Sequence, residues 1–198
     1  MLAILFIILS YCFGSINWAI IICKLAKLPD PREQGSGNPG ATNVLRYGGK
    51  KLAALVMLGD VLKGVLPVFI AKLVLPHGLS LSLIACAAIL GHIYPVFFRF
   101  QGGKGVATLL GAIIALAWPV GLAVIATWLI IALIFRFSSL ASLVSVILLP
   151  VYLYWWSDPH YVLPLIVIAL IIIYRHRANI KRLIKKEEPK IGKKKAMK

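Results

Sequence analysis

Hydrophobic residues in this chain form long blocks, whereas a soluble domain shows short periodic runs. The blocks cover residues 2–23, 52–75, 80–98, 106–118, 119–135, 139–156 and 161–175. A helix needs about 20 apolar residues to cross a hydrocarbon core of about 30 Å. The pattern therefore predicts an all-α, polytopic membrane protein with seven transmembrane helices.

The apolar stretch at 106–135 admits one helix or two. A single helix of that length would extend about 45 Å, which exceeds the hydrocarbon core unless the helix is steeply tilted. Trp118 and Pro119 lie near its centre. A proline breaks a helix, and a tryptophan favours the membrane interface. We therefore expect two helices in this stretch.

Basic residues indicate the orientation of the spans. With seven spans, the segments on one side of the membrane contain 20 of the 22 Lys and Arg residues, and only Lys63 and Lys72 lie elsewhere. The positive-inside rule makes that side cytoplasmic, so the N-terminus is expected outside and the C-terminus in the cytoplasm. Six spans would place Arg136 and the basic C-terminal end outside.

The chain divides by composition into a membrane domain, residues 1–180, and a basic cytoplasmic tail, residues 181–198. We expect the tail to be a solvated anchor that attracts anionic lipid. Nucleic-acid binding is disfavoured because no aromatic residues alternate with the lysines to stack on bases. The acids Glu187 and Glu188 are assigned to this tail.

Composition supports the membrane prediction and limits the chemistry. The chain is 61% hydrophobic and 14% charged, with a net charge of +16, which excludes a soluble globule and a disordered chain. Only six residues are acidic, so we expect no bound metal and no cofactor. Cys12, Cys23 and Cys86 lie in apolar stretches and are expected to be packing residues.

Polar chemistry begins in the glycine-rich segment at 35–46, on the predicted cytoplasmic side. Glycines let backbone N–H groups crowd around an anion, and Arg46 adds a planar cation suited to phosphate. The alternative is a flexible connector made of turn-forming residues. The candidate site residues in this segment are Ser36, Gly37, Asn38, Gly40, Thr42, Asn43 and Arg46.

A second glycine-rich turn, residues 102–105, opens the fourth span. A turn of this kind at a helix N-terminus favours anion binding. It is not a Walker A loop, because Phe98 stands where that motif requires glycine and Gly105 where it requires Ser or Thr. We expect a phosphate site at Gly103, Lys104 and Gly105. The alternative is a tight turn whose lysine only sets topology.

The third segment contains Ser139 and Ser142, which share one helix face at the start of the sixth span. Their hydroxyl groups are candidate substrate ligands. The alternative is that they cap the helix.

The fourth segment follows the last span. Arg175, Asn179 and Arg182 share a helix face by i, i+4, i+7 spacing, and His176 lies beside Asn179. This face is suited to grip an anionic group. The alternative is a basic helix end at the lipid surface.

Two features within the spans also carry polar groups. His92 lies near the cytoplasmic end of the third span and is either a functional residue or a neutral, hydrogen-bonded core histidine. Asp60 and Lys63 are one helical turn apart in the second span. An unpaired charge is costly there, so we expect an ion pair.

Together these motifs resemble the bacterial acyl-phosphate:glycerol-3-phosphate acyltransferases, the PlsY family. The resemblance extends over most of the chain, and its motifs are jointly specific. They lie at residues 35–43, 91–95, 102–108, 139–142 and 175–179.

The resemblance implies transfer of a fatty acyl group from acyl phosphate to the sn-1 hydroxyl of glycerol 3-phosphate, giving lysophosphatidic acid and phosphate for phospholipid synthesis. It implies catalytic roles for Ser36, Lys104, His176 and Asn179. It further implies substrate binding by Gly37, Asn38, Gly40, Thr42, Asn43, Arg46, His92, Gly103, Gly105, Ser139 and Ser142. The expected location is the inner membrane with the active site facing the cytoplasm. The expected partners are the two substrates and membrane lipid, without nucleic acid or an obligate protein partner.

The proton of the acceptor hydroxyl needs an acceptor, and carboxylates are scarce near the motifs. His176, His92 or a substrate phosphate oxygen remain, and we expect the phosphate to take the proton, because its second pKa lies near 6. The alternative function is a transporter of phosphorylated metabolites or an anion channel. A transporter should carry polar residues through the full membrane depth, whereas here they cluster on one face.

Overall fold

The structure, a computed structural model, describes residues 1–192 and is all-helical over that range, with no strand. Its helices are α1 Leu2–Gly14, α2 Trp18–Leu25, α3 Ala41–Tyr47, α4 Gly49–Val74, α5 Leu79–Ile93, α6 Val106–Leu116, α7 Trp118–Phe135, α8 Ser138–Trp156, α9 Pro159–Arg175 and α10 Arg177–Ile184. A 3-10 turn, Val96–Phe98, follows α5. The four C-terminal lysines of the predicted tail, at 193, 194, 195 and 198, lie outside the described residues.

Five stretches are long and apolar enough to cross a membrane, or six if α9 and α10, which meet at a bend of 54°, are taken as one span. These counts cover residues 1–192. The protein is therefore a multi-pass membrane protein. Helix α6, at 11 residues, extends about 16 Å and is shorter than the hydrocarbon core.

The first predicted span is present but is broken into α1 and α2, and this break was not predicted. The Ser15 hydroxyl donates to the Tyr11 carbonyl (2.8 Å), and the Asn17 side chain accepts from the Ile20 N–H and caps α2. Lys63 Nζ donates to the Ile16 carbonyl at 2.7 Å. Local side-chain bonds and a buried ammonium thus replace the helical hydrogen bonds lost at the break.

The predicted division of residues 106–135 is present. Helix α6 ends at Leu116, and α7 begins at Trp118 with Pro119 in its first turn. The carbonyls of Ala115 and Leu116 accept from Lys72 Nζ, each at 3.1 Å. A cation at a helix C-terminus is favourable because it faces the negative end of the helix dipole.

Helices α4 and α6 pack closely through glycine. A Cβ atom added at Gly64 would lie 2.2 Å from the Thr108 carbonyl oxygen, and one at Gly111 would lie 2.1 Å from that of Val61. Small residues at a crossing let two backbones approach in this way. This contact fixes the position of α6, and with it the glycine loop at 102–105 that precedes it.

The segment after α10 returns to the bundle. The Ile191 N–H donates to the Arg136 carbonyl at 2.7 Å, and Lys190 lies over the Phe137 ring. Helix α10 itself crosses the predicted domain boundary between residues 180 and 181. Residues of the predicted tail therefore contact the membrane domain.

Candidate active site

A cavity of about 640 Å³ lies at the end of the bundle where the four polar segments converge. Most of the residues singled out from the sequence line it, namely Ser36, Asn38, Gly40, Thr42, Asn43, Arg46, His92, Lys104, Gly105, Ser139, Ser142, His176 and Asn179. Gly37 and Gly103 belong to the same two loops but do not line the cavity. The fold thus brings together segments that are more than 100 residues apart in the chain.

Asn43 holds the first loop in shape. Its amide donates to the carbonyls of Pro31 and Gln34 (2.9 Å each), and its Oδ1 accepts from the Ser36 N–H at 2.9 Å. Gly35 has a φ of +60°, and a Cβ there would lie 2.4 Å from Asn43 Oδ1. Both ends of the Asn43 side chain are thus bonded to the loop, and its binding of substrate stays a prediction.

The glycine loop at 102–105 is held from two sides. The Gly103 N–H donates to the His92 carbonyl at 3.1 Å. Arg175 donates to the carbonyls of Gly102 and Gly103 at 3.0 and 3.3 Å. Arg175 does not line the cavity. It therefore supports the loop. The predicted face of Arg175, Asn179 and Arg182 assumed one continuous helix, whereas α9 and α10 meet at a bend of 54° and Arg182 bonds Glu188.

Lys104, the next residue of this loop, points to the α9–α10 junction and donates from Nζ to Asn179 Oδ1. Burial lowers the pKa of Lys104 to about 8; the Glu188 carboxylate partly offsets this effect, and the neighbouring arginines add to it. The ammonium group is thus still mostly charged at neutral pH, in a partly desolvated position where it attracts an anion strongly.

Glu188 is a residue that the sequence analysis missed. Its Oε1 accepts from the Ser139 hydroxyl and the Asn179 amide, each at 2.7 Å, and its Oε2 accepts from Arg182 Nε at 2.6 Å. Burial alone would raise the pKa of Glu188, but these hydrogen bonds hold it below its usual value. The sequence feature that could have indicated Glu188 is that Glu187 and Glu188 are the only acidic residues among the many lysines of segment 181–198.

The first two turns of α8 carry Ser139 and Ser142, close to the helix start as predicted. Ser142 Oγ donates to the Ser138 carbonyl at 2.9 Å and accepts from Trp128 Nε1 at 3.1 Å. Ser138 Oγ lies 3.2 Å from Thr42 Oγ1, which links α8 to α3. These hydroxyls therefore connect the elements around the cavity as well as facing it.

His176 lies between α9 and α10 with its side chain nearly buried. Its Nδ1 lies 2.8 Å from the Ile172 carbonyl oxygen, which can only accept, so Nδ1 carries the proton. Burial, with the nearby Lys104 charge, lowers the pKa of His176 to about 4. The ring is therefore neutral at pH 7, and Nε2 is a hydrogen-bond acceptor.

Beneath the glycine loop, Asp60, Lys63 and His92 form a buried cluster. The predicted ion pair is confirmed, with Lys63 Nζ 3.0 Å from Asp60 Oδ1. His92 Nδ1 lies 3.4 Å from the same oxygen. Both Asp60 and His92 line the deep end of the cavity.

The rest of the cavity wall is apolar. It is formed by α4, α6 and α7 through Met57, Leu110, Ile125, Trp128 and Leu129. One end of the cavity thus carries cations and hydrogen-bond donors, and the same cavity continues along an apolar wall. This combination indicates a membrane protein whose site suits an anionic head group together with a hydrocarbon chain.

Comparisons with known proteins agree with this class. A family profile described as glycerol-3-phosphate acyltransferase matches residues 4–186. The chain is 49% identical over 193 residues to a glycerol-3-phosphate acyltransferase of Shewanella oneidensis, covering 98% of this chain and 95% of the relative. It is 52% identical over 194 residues to that of Vibrio vulnificus, covering 98% and 95%.

Two crystal structures of PlsY (YgiH), an integral membrane glycerol 3-phosphate acyltransferase, share the fold. The glycerol 3-phosphate form has a TM-score of 0.92 and 43% identity, covering 97% of this chain and 96% of that chain. The lysophosphatidic acid form has a TM-score of 0.90 and 42% identity over the same shares. The chain therefore belongs to the glycerol-3-phosphate acyltransferase family, which confirms the resemblance drawn from its motifs.

Proposed function

We propose that this protein transfers a fatty acyl group from acyl phosphate to the sn-1 hydroxyl of glycerol 3-phosphate. The acyl carbon–oxygen bond to phosphate breaks, an ester bond to glycerol forms, and the products are lysophosphatidic acid and inorganic phosphate. The observation that carries the proposal is the single cavity that joins Arg46 and Lys104 to the apolar wall of α4, α6 and α7. Such a cavity suits two phosphorylated substrates, one of them with a fatty chain.

The two phosphates have separate positions in this proposal. The phosphate of the acyl donor lies in the loop from Ser36 to Thr42, aided by the glycine turn. Glycerol 3-phosphate lies against Arg46, Lys104, Ser142, His176 and Asn179. The assignment is supported by the position of these residues around one cavity, and by the mostly charged state of Lys104 at neutral pH.

The donor is already activated, so the protein mainly positions it and stabilises developing negative charge. We assign that charge stabilisation to Lys104. The unprotonated Nε2 of His176 accepts a hydrogen bond from glycerol 3-phosphate and orients it. A substrate phosphate oxygen takes the hydroxyl proton, directly or through one water, because a phosphate monoester has its second pKa near 6.

The test of the mechanism is the kinetics of His176→Asn. If the histidine orients substrate, this variant raises the KM for glycerol 3-phosphate while kcat stays within a few-fold of the parent. A loss of about a thousandfold in kcat with unchanged KM would instead make His176 the general base.

The test of the function is direct. Purified protein is mixed with acyl phosphate and glycerol 3-phosphate, and lysophosphatidic acid and phosphate are quantified together. One phosphate released for each lysophosphatidic acid formed supports the proposed reaction. No product, with uptake of glycerol 3-phosphate into vesicles that contain the protein, would support the transporter alternative.

For the membrane arrangement we propose seven spans in the inner membrane, with the N-terminus outside and the cavity facing the cytoplasm. The basic residues support this orientation, since 20 of 22 Lys and Arg residues then lie on the cytoplasmic side. The short helix α6 counts as a span in this arrangement, its C-terminal carbonyls satisfied by Lys72.

A further inference from the structure

We propose that Asp60 and His92 are positioning residues that hold the glycine loop, residues 102–105, in its phosphate-binding shape. The inference rests on the proposed function, because the loop carries Lys104, which is assigned above to glycerol 3-phosphate. It gives a role to a buried charged cluster that the proposed chemistry does not use.

Helix packing does not account for the charged residues of this cluster. Asp60, Lys63 and His92 are 3%, 1% and 5% exposed within the apolar helices α4 and α5. Desolvating two charges is costly, and apolar side chains of similar size often replace a buried ion pair without loss of stability. Packing of the helices alone therefore gives no reason for charges at this depth.

The cluster lies directly against the glycine loop through His92. One ring nitrogen, Nδ1, faces Asp60 Oδ1 at 3.4 Å. The other, Nε2, lies 2.2 Å from the position that a Cβ atom would take at Gly103. The ring thus fills the space beside Gly103, with the Asp60 carboxylate on its other side.

The backbone of His92 holds the same loop. Its carbonyl accepts from the Gly103 N–H at 3.1 Å, and a Cβ added at Gly102 would lie 2.1 Å from that carbonyl oxygen. Arg175 bonds the loop carbonyls as well. The loop is therefore clamped between the His92 ring and the Arg175 guanidinium, and Lys104 follows immediately.

Lys63 has a separate task. Its ammonium neutralises Asp60 and also donates to the Ile16 carbonyl at the break between α1 and α2. The chain of support thus runs from Lys63 to Asp60, from Asp60 to the His92 ring, and from that ring to Gly103. Loss of the acceptor at position 60 frees the ring to rotate and leaves the loop unsupported on that side.

Two double variants separate positioning from simple burial. Asp60→Leu with Lys63→Met removes both charges and the acceptor for His92. Asp60→Asn with Lys63→Met removes the same charges but keeps an oxygen that faces Nδ1. A small displacement of a binding group has large kinetic effects. We expect the first variant to raise the KM for glycerol 3-phosphate about tenfold, with kcat changed less than about threefold.

We expect the second variant to recover most of the affinity, with a KM within about threefold of the parent. Thermal unfolding of both proteins, measured alongside, shows that each is folded. Equal KM values in the two double variants would overturn the inference, because the acceptor would then be irrelevant. If the leucine double variant does not fold, the KM values of His92→Leu and His92→Gln are compared in the parent background. Equal KM values for these two variants would also overturn the inference.

Direct binding distinguishes failure of this inference from failure of the proposed function. The affinity for glycerol 3-phosphate is measured calorimetrically for the parent and both double variants, without acyl phosphate. A parent that binds but does not acylate refutes the proposed reaction, while the order of the three affinities still tests the loop support. A parent that does not bind glycerol 3-phosphate overturns both.

Discussion

Raising the pH from 7 to 9 should remove the charge of Lys104 while leaving that of Arg46 in place. Burial has already brought the lysine pKa down to about 8. The His176 ring, with a pKa of about 4, is neutral throughout this range, and the glycerol 3-phosphate head group, with a second pKa near 6, is mostly a dianion. Lys104 is therefore the group in this set whose charge changes.

The expected magnitude follows from the pKa. A lysine with a pKa of about 8 is about 90% charged at pH 7 and about 10% charged at pH 9. Since kcat/KM reports the ionisation of the free enzyme, kcat/KM for glycerol 3-phosphate should fall about tenfold between these values. The assay is initial-rate formation of lysophosphatidic acid at fixed ionic strength, corrected for spontaneous hydrolysis of acyl phosphate.

Two variants serve as controls. Lys104→Arg keeps its charge throughout this range, so its profile should be flat to pH 9 even if its absolute rate is lower. Lys104→Ala should lose at least about tenfold at pH 7, equivalent to roughly 1.4 kcal/mol of transition-state stabilisation, and should also show no alkaline fall. A flat profile in the parent, or an equal alkaline fall in Lys104→Arg, would refute the role assigned to this lysine.

Three further outcomes are expected. Glu188→Gln should lower the thermal midpoint and the activity, because it weakens the hydrogen bonds from Ser139, Asn179 and Arg182. Glu187 is exposed, so Glu187→Gln should match the parent. Equal behaviour of the two variants would contradict the contacts described. In a cysteine-free background, Lys51→Cys and Lys185→Cys should react with an impermeant thiol reagent only from the cytoplasmic side, and His160→Cys only from outside. Labelling of the first two from opposite sides would refute the orientation. Dialysis against a chelator should leave the rate unchanged, and restoration of a lost rate by a divalent cation would show that a metal takes part.

Much of the architecture could be predicted because apolar block length is a strong signal. Helices α4 to α9 each fall within a few residues of a predicted span. The break between α1 and α2 was not predicted, because Gly14, Ser15 and Asn17 were included in one apolar span. Besides these local residues it involves Lys63, which is 47 residues from the carbonyl it contacts.

Candidate site residues were recognised where the residues that form a motif are close together in the sequence. Glycine loops, clustered serines and a lysine before a helix are visible in short windows of sequence. The roles of Asn43, Arg175 and Glu188 were not visible, because each depends on what the side chain meets after folding. For Glu188, surrounding lysines made a solvated tail the natural interpretation, and only the return of the chain after α10 brings the carboxylate to Ser139 and Asn179.

The bond between Lys72 and the end of α6 has a consequence for how the protein is assembled. The chain is synthesised from its N-terminus, so α4 enters the bilayer before Ala115 and Leu116 exist. At that stage the long Lys72 side chain must reach the interface to keep its ammonium hydrated. Once α6 follows, its two free carbonyls take the place of that water. The Lys72 ammonium, at first hydrated at the end of the inserted α4, thus comes to join α4 to the C-terminal end of α6, which is synthesised some forty residues later.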